Sequence, residues 1–307
     1  MIRARKKKKR NKVDYVSRSQ KYPQLGSGLG LRPEHFDDVL DGKSQMSWFE
    51  VLTENYMGLP RFGQGPLLKK LLRLREKYPV VFHCVSINIG STSDLDFHFL
   101  KELKSLKDII EPAWFSDHLC WTGLEGQNTH ELLPLPYTKE AVSHVASRIH
   151  QVQDFFGERF MIENTSSYVT YKSSEMSEWE FISEIIKRTD CGLLLDINNV
   201  YVSAENHQFS AKTFLDNIPF ENVGQIHLAG HDRRANGLIV DTHDAPVCNE
   251  VYELVSYLAS KKTLPSYMVE WDDNLPSLQT YEEQVLKINQ VVKSSKGGQG
   301  GIEVYSK

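Results

Sequence analysis

The densest group of chemically versatile residues lies in the segment QIHLAGHDRRANGLIVDTHDAP, residues 225–246, which holds three histidines and three aspartates. Imidazole and carboxylate groups together suit iron, manganese or zinc, whereas an all-oxygen set would suit magnesium or calcium. Asp241 and His243 stand two residues apart, a spacing that in an extended chain aims both side chains toward one side. The pattern predicts that His227, Asp241 and His243 bind metal.

Elements of secondary structure must position these residues, and apolar and amphipathic stretches alternate from end to end. Between the apolar runs, hydrophobic residues recur at three- and four-residue spacing and predict helices over 66–78, 95–110, 139–157, 178–189 and 249–262. No GxGxxG motif follows the first strand, so an α/β TIM barrel, (β/α)8, is favoured over a doubly wound open sheet. The eight predicted strands cover residues 28–32, 48–53, 80–86, 113–119, 159–164, 191–197, 223–229 and 266–271.

Acids and imidazoles interrupt the later half of these apolar runs, strand after strand. Active sites of TIM barrels lie at the carboxyl ends of the strands, so we expect the polar residues to converge there. A buried ring of this kind, with no lysine or arginine among its members, would repel itself unless cations neutralised it. Eight donors exceed the needs of one ion, so two or three ions are expected, with Glu163 or Asp196 bridging. The predicted ligands are His83, His118, Glu163, Asp196, His227, Asp241, His243 and Glu270.

Other polar residues near the predicted strand ends allow more than one interpretation. Glu50, on the second strand, could orient a ligand. Asn198 and Asn199 follow Asp196 and could complete a coordination sphere or only shape a turn. His231 could be a proton donor, a substrate contact or a surface histidine.

The bulk composition predicts a soluble globular protein. The chain has 307 residues, of which 40% are hydrophobic, enough for a substantial core. No stretch approaches the roughly 18 uninterrupted apolar residues of a membrane span, and no apolar run follows the basic N-terminus as in a secretion signal. The four cysteines are scattered and form no CxxC pair, so reduced thiols are expected. The expected location is the cytoplasm.

Charge divides the chain into a basic start and an acidic body. The first twelve residues carry eight lysines and arginines, which leaves 28 basic against 40 acidic residues, a net charge of about −12, for the rest. An acidic body argues against a large phosphate-binding face, so nucleic acid is not an expected partner. Residues 1–24 are expected to be a disordered basic tail, residues 25–292 a single metal-binding barrel domain, and residues 293–307 a flexible end.

Two families of TIM barrels share this order of strand-end residues. One is the trinuclear zinc abasic-site endonuclease of the endonuclease-four type, and the other is the family of multinuclear non-haem iron-dependent oxidases, which includes the iron enzyme of methanobactin biosynthesis. The endonucleases also have a histidine three residues after the aspartate of the sixth strand, where this chain has Asn199. The local sequence resembles the second family over residues 25–292, in GLGLRPEHFDDVL, FEVLTENYMG, FHCVSINIGS, SDHLCW, IENTSSY, LLLDINNVYVSAENH, QIHLAGH, VDTHDAPV and VEWDDNLP.

The resemblance implies a xylose-isomerase-like, endonuclease-four-like barrel that acts as an oxidase. Two or three iron ions, in mixed Fe(II) and Fe(III) states, would use O2 to modify cysteine residues of a ribosomally synthesised precursor peptide. A separate partner protein commonly binds the leader of that peptide. Carried over by motif, the eight predicted ligands and Asn199 would bind iron, and His231 and Asn164 would be catalytic groups. Two alternatives stay open: a divalent-metal phosphodiesterase or sugar isomerase on the same barrel, and a metal-binding subunit that acts only within a complex.

Overall fold

Eight parallel strands close into a barrel, which confirms the predicted fold. The computed structural model describes residues 22–58, 65–124 and 127–297. Each barrel strand overlaps one of the eight predicted segments and pairs in parallel with its neighbours on both sides. The strands of the barrel, numbered so as to count two hairpins described below, are β1 (Ser27–Gly30), β2 (Trp48–Leu52), β3 (Val80–Cys84), β4 (Phe115–His118), β7 (Met161–Glu163), β8 (Gly192–Asp196), β9 (Val223–Leu228) and β12 (Ser266–Val269).

Two antiparallel hairpins stand outside the barrel. The strands β5 (Trp121–Leu124) and β6 (Gln127–Leu133) follow β4, and β10 (Asp232–Arg233) and β11 (Ile239–Val240) follow β9. The sequence pattern does not predict them, because β6 is exposed along nearly its whole length and the two-residue strands are too short to show an alternation. Both hairpins leave the carboxyl ends of barrel strands, so they flank the face on which the predicted ligands lie.

Helices connect the strands and cover the outside of the barrel. The five predicted helices are present, three of them with side-chain caps at Asp96, Thr138 and Ser177. Within the described part of the chain, none of the helices is both long and apolar enough to cross a membrane. The helices are α1 (Phe36–Leu40), α2 (Pro66–Lys77), α3 (Phe97–Ile110), α4 (Lys139–Phe156), α5 (Glu178–Thr189), α6 (Ile197–His207), α7 (Ala211–Asn217), α8 (Asn249–Lys261) and α9 (Leu278–Gly297).

The structure describes only part of the two predicted end segments, 1–24 and 293–307. Helix α9 continues to Gly297, inside the end segment 293–307 that the sequence predicts to be flexible. Residues 298–307 lie outside the described residues, as do residues 1–21 of the predicted basic tail.

The interior of the barrel has two layers, because residues two apart on a strand point to the same face. Near the amino ends of the strands, six buried side chains form an apolar floor: Trp48, Val81, Trp114, Met161, Leu194 and Met268. The rings of Trp48 and Trp114 meet edge to face at 5.8 Å, and Gly28 leaves room for the first of them. Two residues beyond the floor, on five strands, stand the polar side chains of Glu50, His83, Glu163, Asp196 and Glu270.

Candidate metal centre

The eight predicted ligands lie together at the mouth of the barrel, which we define as the carboxyl ends of its strands. Six of them come from strand ends and are at most 8% exposed, and Asp241 and His243 come from the loop after β11. Donor atoms of seven of them form three overlapping groups, each with atoms within 4.8 Å of one another, and Asp241 belongs to none of the three. The first donor group is His83, His118 and Glu163, the second is Glu163, Asp196 and His227, and the third is Asp196, His243 and Glu270.

The first donor group is a compact triangle of two imidazoles and a carboxylate. Nε2 of His83 lies 3.3 Å from Nε2 of His118 and 3.2 Å from Oε2 of Glu163, and the third side of the triangle is 3.5 Å. Donors bound at about 2.1 Å to one four- to six-coordinate ion lie roughly 3.0–3.5 Å apart. The three atoms are therefore spaced as ligands of a single metal ion.

The second donor group uses the other oxygen of Glu163. Oε1 of this carboxylate lies 3.5 Å from Nδ1 of His227, and the same nitrogen lies 3.4 Å from Oε2 of Glu270. Asp196 completes the group. Glu163 and Asp196 each belong to two groups, which is compatible with the predicted bridging of two ions.

The third donor group depends on a tight turn in the loop after β11. His243 has a left-handed backbone, with φ of 50°, and its Nε2 lies 2.8 Å from Oδ1 of Asp241. The expectation that the DTH segment is extended is wrong at His243, although the side chains of Asp241 and His243 do lie on one side. The turn packs against Gly230, whose carbonyl accepts a hydrogen bond from the amide of His243 at 3.1 Å. A Cβ at Gly230 would lie 1.9 Å from the carbonyl oxygen of Ala245.

Several buried polar atoms of the centre have no hydrogen-bond partner. Buried donors and acceptors are nearly always hydrogen-bonded, so each exception calls for an explanation. Asp196 caps α6 by accepting the amide of Asn199 at Oδ1, and its Oδ2 is left without a partner. Lone pairs that converge without hydrogens between them fit metal cations. The buried atoms of the centre that lack a hydrogen-bond partner are Glu163 Oε2, Asp196 Oδ2, Asn199 Oδ1, His227 Nδ1 and His243 Nε2. Nδ1 of His118 also lacks one, but it lies 3.4 Å from Oδ1 of Asp117, and it is Nε2 of this ring that faces the first donor group.

Neighbouring polar groups orient the imidazoles. Nδ1 of His83 lies 2.8 Å from Oγ of Ser116, so its Nε2 faces the first donor group. Nε2 of His227 lies 3.2 Å from the carboxylate of Glu50 and 2.6 Å from Nε2 of Gln225, so its Nδ1 faces the second. A carboxylate behind a histidine is a common way to orient a metal ligand. Glu50 thus supports His227 and does not itself belong to a donor group.

One arginine contacts the centre, contrary to the expectation that the ring contains no lysine or arginine. Arg32, which follows β1 and is 6% exposed, donates from Nη2 to Oε1 of Glu270 at 3.2 Å and also to Asp272. The opposite oxygen of Glu270 faces His227 and His243. Arg32 therefore neutralises the outer side of Glu270 and leaves the first donor group, across the barrel, without a basic partner among the described residues.

Burial and the charges of neighbouring groups shift the pKa values of different residues of the centre in opposite directions. Burial lowers the pKa of His83 to about 3, so this imidazole is neutral and its lone pair can bind a metal. Burial also opposes the charged form of His118, but Glu163 and Asp117 raise its pKa to about 9. Burial, Glu163 and Asp241 together raise the pKa of Asp196 well above its usual range. A divalent cation beside Asp196 would relieve that repulsion.

The asparagines of the centre have different surroundings. Asn164 donates from Nδ2 to the carbonyl of Asp196 at 2.9 Å and accepts the Asp196 amide at Oδ1, 3.0 Å away. Both ends of its side-chain amide thus pair with the backbone of Asp196, and its catalytic role stays a prediction. Asn199 donates to the carbonyl of Asn164 at 3.0 Å, and its free Oδ1 could join a coordination sphere.

His231 lies on the loop side of the centre and is half-buried. Its Nδ1 is 2.7 Å from Oδ1 of Asn198, and its ring stacks on Tyr201 with centroids 5.2 Å apart. Asn198 in turn donates to Asp241 at 2.6 Å. Sequence reasoning missed Arg32, Ser116 and Asp272 as contacts of the centre. Arg32 is the last residue of the first predicted strand and Asp272 follows the last one, and these positions were the available signal.

Comparison with known sequences points to one family. A family model described as RiPP precursor modification enzyme MbnB/TglH/ChrH matches residues 26–293. A UPF0276 protein of Anaeromyxobacter sp. strain Fw109-5 is 46% identical over 254 residues, which is 83% of this chain and 88% of the relative. A UPF0276 protein of Caulobacter vibrioides is 45% identical over 257 residues, 83% of this chain and 90% of the relative.

Solved structures share the fold at low sequence identity. The chain aligns with endonuclease IV from Thermus thermophilus at a TM-score of 0.54 and 16% identity, covering 90% of this chain and 100% of that one. It aligns with a D-tagatose 3-epimerase-like protein at a TM-score of 0.59 and 15% identity, covering 89% and 100%. These similarities show a TIM barrel of the xylose-isomerase and endonuclease IV kind, and they show the fold alone.

Proposed function

The chain belongs to the family of RiPP precursor modification enzymes described as MbnB/TglH/ChrH, and from that premise we propose that it is a multinuclear iron-dependent oxidase. In this proposal it uses O2 to modify cysteine residues of a ribosomally synthesised precursor peptide. Residues 25–292 form one metal-binding domain that holds two or three iron ions in mixed Fe(II) and Fe(III) states. The observation that carries the proposal is the set of three donor groups linked through Glu163 and Asp196.

The donor chemistry supports iron over harder metals. Imidazole and carboxylate donors without a cysteine thiolate suit iron, manganese or zinc. The donor groups contain His83, His118, His227 and His243, which an all-oxygen magnesium or calcium site would not use. The chemistry that iron supplies when bound is thiolate binding and the electrons for reduction of O2.

The residues of the chain hold and shield this centre. The three donor groups bind the ions, with Asp241 and Asn199 as further oxygen donors, and Glu50 fixes the orientation of His227. The apolar floor beneath them closes the barrel to water from the amino ends of the strands, which strengthens electrostatic interactions in the centre. His231 lies beside the centre and serves as the group that exchanges a proton with the substrate.

The setting of the enzyme follows from the same proposal. Its substrate carries a leader segment, and a separate leader-binding partner protein presents it to the barrel mouth. The protein acts in the cytoplasm, where its four unpaired cysteines stay reduced. The acidic body of the chain leaves nucleic acid without a role.

Oxygen uptake tests the proposal directly. Protein purified without air is loaded with iron and mixed with a cysteine-bearing precursor peptide and its leader-binding protein, and O2 consumption is recorded together with the peptide mass. We expect uptake of O2 and a mass change that both disappear when the cysteine of the peptide is replaced by serine. A zinc-only protein that neither consumes O2 nor alters the peptide, yet cleaves abasic-site DNA or isomerises a ketose, would overturn the proposal.

A further inference from the structure

One turn of helix α6 holds His231 from two directions. Asn198 and Tyr201 are three residues apart, so both side chains lie on the same face of the helix. Oδ1 of Asn198 contacts the edge of the imidazole at Nδ1, 2.7 Å away, and the ring of Tyr201 covers its face with an interplanar angle of 29°. The same turn begins at Asp196, a member of two donor groups. The position of His231 is thereby tied to the metal centre.

The hydrogen bonds of Asn198 determine which of its atoms faces His231. Asp241 is a carboxylate that can only accept, and it lies 2.6 Å from one end of the Asn198 amide. That end must therefore be the NH2 group, which leaves the carbonyl oxygen toward Nδ1 of His231. Because a carbonyl oxygen only accepts, Nδ1 must carry a proton. The neutral ring then has its lone pair at Nε2.

We propose that Asn198 is a positioning residue that fixes His231 as the Nδ1–H tautomer, so that His231 enters the reaction as a base through Nε2. Asn198 donates to Asp241, and Oδ1 of Asp241 lies 2.8 Å from Nε2 of His243, so this arrangement adjoins the third donor group. The assignment of the tautomer stands on the hydrogen bonds alone. The role as a base rests on the proposed function.

The proton transfer that follows is simple to balance. A hydrogen on a substrate atom leaves as a proton to Nε2, its electron pair stays on the substrate, and His231 becomes an imidazolium with protons on both nitrogens. The positive charge is then shared along Nδ1–H to the Asn198 carbonyl, and the Asn198 amide contacts the negative Asp241. In the opposite tautomer Nε2 would carry the proton at the start and could only donate. Within the proposed function, the Nδ1–H tautomer therefore lets His231 accept the first proton and not donate it.

Nitrogen NMR measures the tautomer without any turnover. The full chain, freed of paramagnetic metal or loaded with zinc, is labelled with 15N in its histidines, and the signals of His231 are identified by their loss in His231→Gln. We expect the wild-type protein to show a protonated Nδ1 and a bare Nε2. In Asn198→Ala the proton should move to Nε2, whereas Asn198→Asp, which keeps an acceptor for Nδ1, should retain the Nδ1 proton.

Asn206, another asparagine of α6, provides the matched control. Asn206 brackets the backbone of Ile239 with hydrogen bonds of 2.9 and 3.0 Å and does not contact His231. Asn206→Ala should leave the tautomer of His231 unchanged. A wild-type His231 with its proton on Nε2, or an Asn198→Ala variant that keeps the Nδ1 proton, would overturn the inference. If Asn198→Ala fails to fold, the wild-type and Asn198→Asp spectra still decide it. Because no activity is measured, the result stands whether or not the protein consumes O2.

Discussion

Glu163 places Oε1 3.5 Å from Nδ1 of His227, while its other oxygen, Oε2, lies 3.2 Å from Nε2 of His83. One carboxylate thus faces two donor groups, from the end of a three-residue strand. His83 and His227 have ring centroids 5.6 Å apart, so the groups they represent are neighbours across the barrel. This relationship makes Glu163 the residue whose loss should disturb more than one ion.

Substitution of Glu163 should therefore remove more metal than substitution of a ligand at the edge of the centre. Glu163→Gln is expected to lose iron at two positions. The substitution replaces one carboxylate oxygen with an amide nitrogen, which does not bind a metal ion, so the side chain can no longer bridge. His118→Gln is expected to lose iron only at the first donor group. Metal analysis of the reconstituted variants measures the difference. Equal iron content in the two variants would contradict a bridging Glu163.

Glu50 should affect the centre although it is not a ligand. Its carboxylate orients His227, and loss of such a contact typically costs 10–100-fold in metal affinity or activity, so Glu50→Gln should fall in about that range. Glu54 is the matched control, since its carboxylate accepts from the amide of Val85 and the hydroxyl of Thr53 instead. Competition with a metal chelator compares the variants. An affinity loss in Glu54→Gln as large as that in Glu50→Gln would argue against the orienting role.

Gly230 should be required for the turn that carries His243. A methyl group there would meet the carbonyl of Ala245 at 1.9 Å, so Gly230→Ala must displace the loop, at a cost of about 3 kcal/mol in stability. The variant should also lose metal at the third donor group. Gly237→Ala, in the β10–β11 hairpin, has free space around its Cβ but a φ of 89°, so it should cost about 1–2 kcal/mol and keep all its metal. Thermal unfolding and metal content distinguish the two.

Arg32 should stabilise the fold by neutralising Glu270. Arg32→Met leaves the buried Glu270 without its partner, and loss of one member of a buried pair costs roughly 3 kcal/mol or more. Arg234→Met breaks an exposed pair with Asp232 and should cost less than about 1 kcal/mol. Urea unfolding of metal-free protein gives both values. Similar small losses in the two variants would contradict a neutralising role of Arg32 toward Glu270.

The sequence predicted the barrel and the place of the centre for one physical reason. Parallel strands buried on both faces read as apolar runs, and a polar residue in the later half of such a run stands out. His83, Glu163 and Asp196 are single interruptions of this kind, and their strand ends necessarily meet once the barrel closes.

What the sequence could not predict depends on tertiary contacts. Arg32 contacts Glu270, which is 238 positions away in the chain, so no local sequence pattern contains the pair. The left-handed backbone of His243 accompanies a hydrogen bond from its amide to the carbonyl of Gly230, and the sequence does not mark it, because only a small fraction of histidines adopt this conformation. The sequence pattern does not predict helix α6. Asp196 is both the last residue of β8 and the N-cap of α6, so no loop separates the strand from the helix and the boundary between them is hidden.

The identity and number of the ions at the barrel mouth decide whether this protein is a multinuclear iron oxidase. Metal analysis and Mössbauer spectroscopy of anaerobically purified full-length protein measure both. We predict more than one iron per chain, with coupled Fe(II) and Fe(III) signals that are reduced in Glu163→Gln. A single ion per chain, or zinc alone after expression and purification with iron supplied, would contradict it.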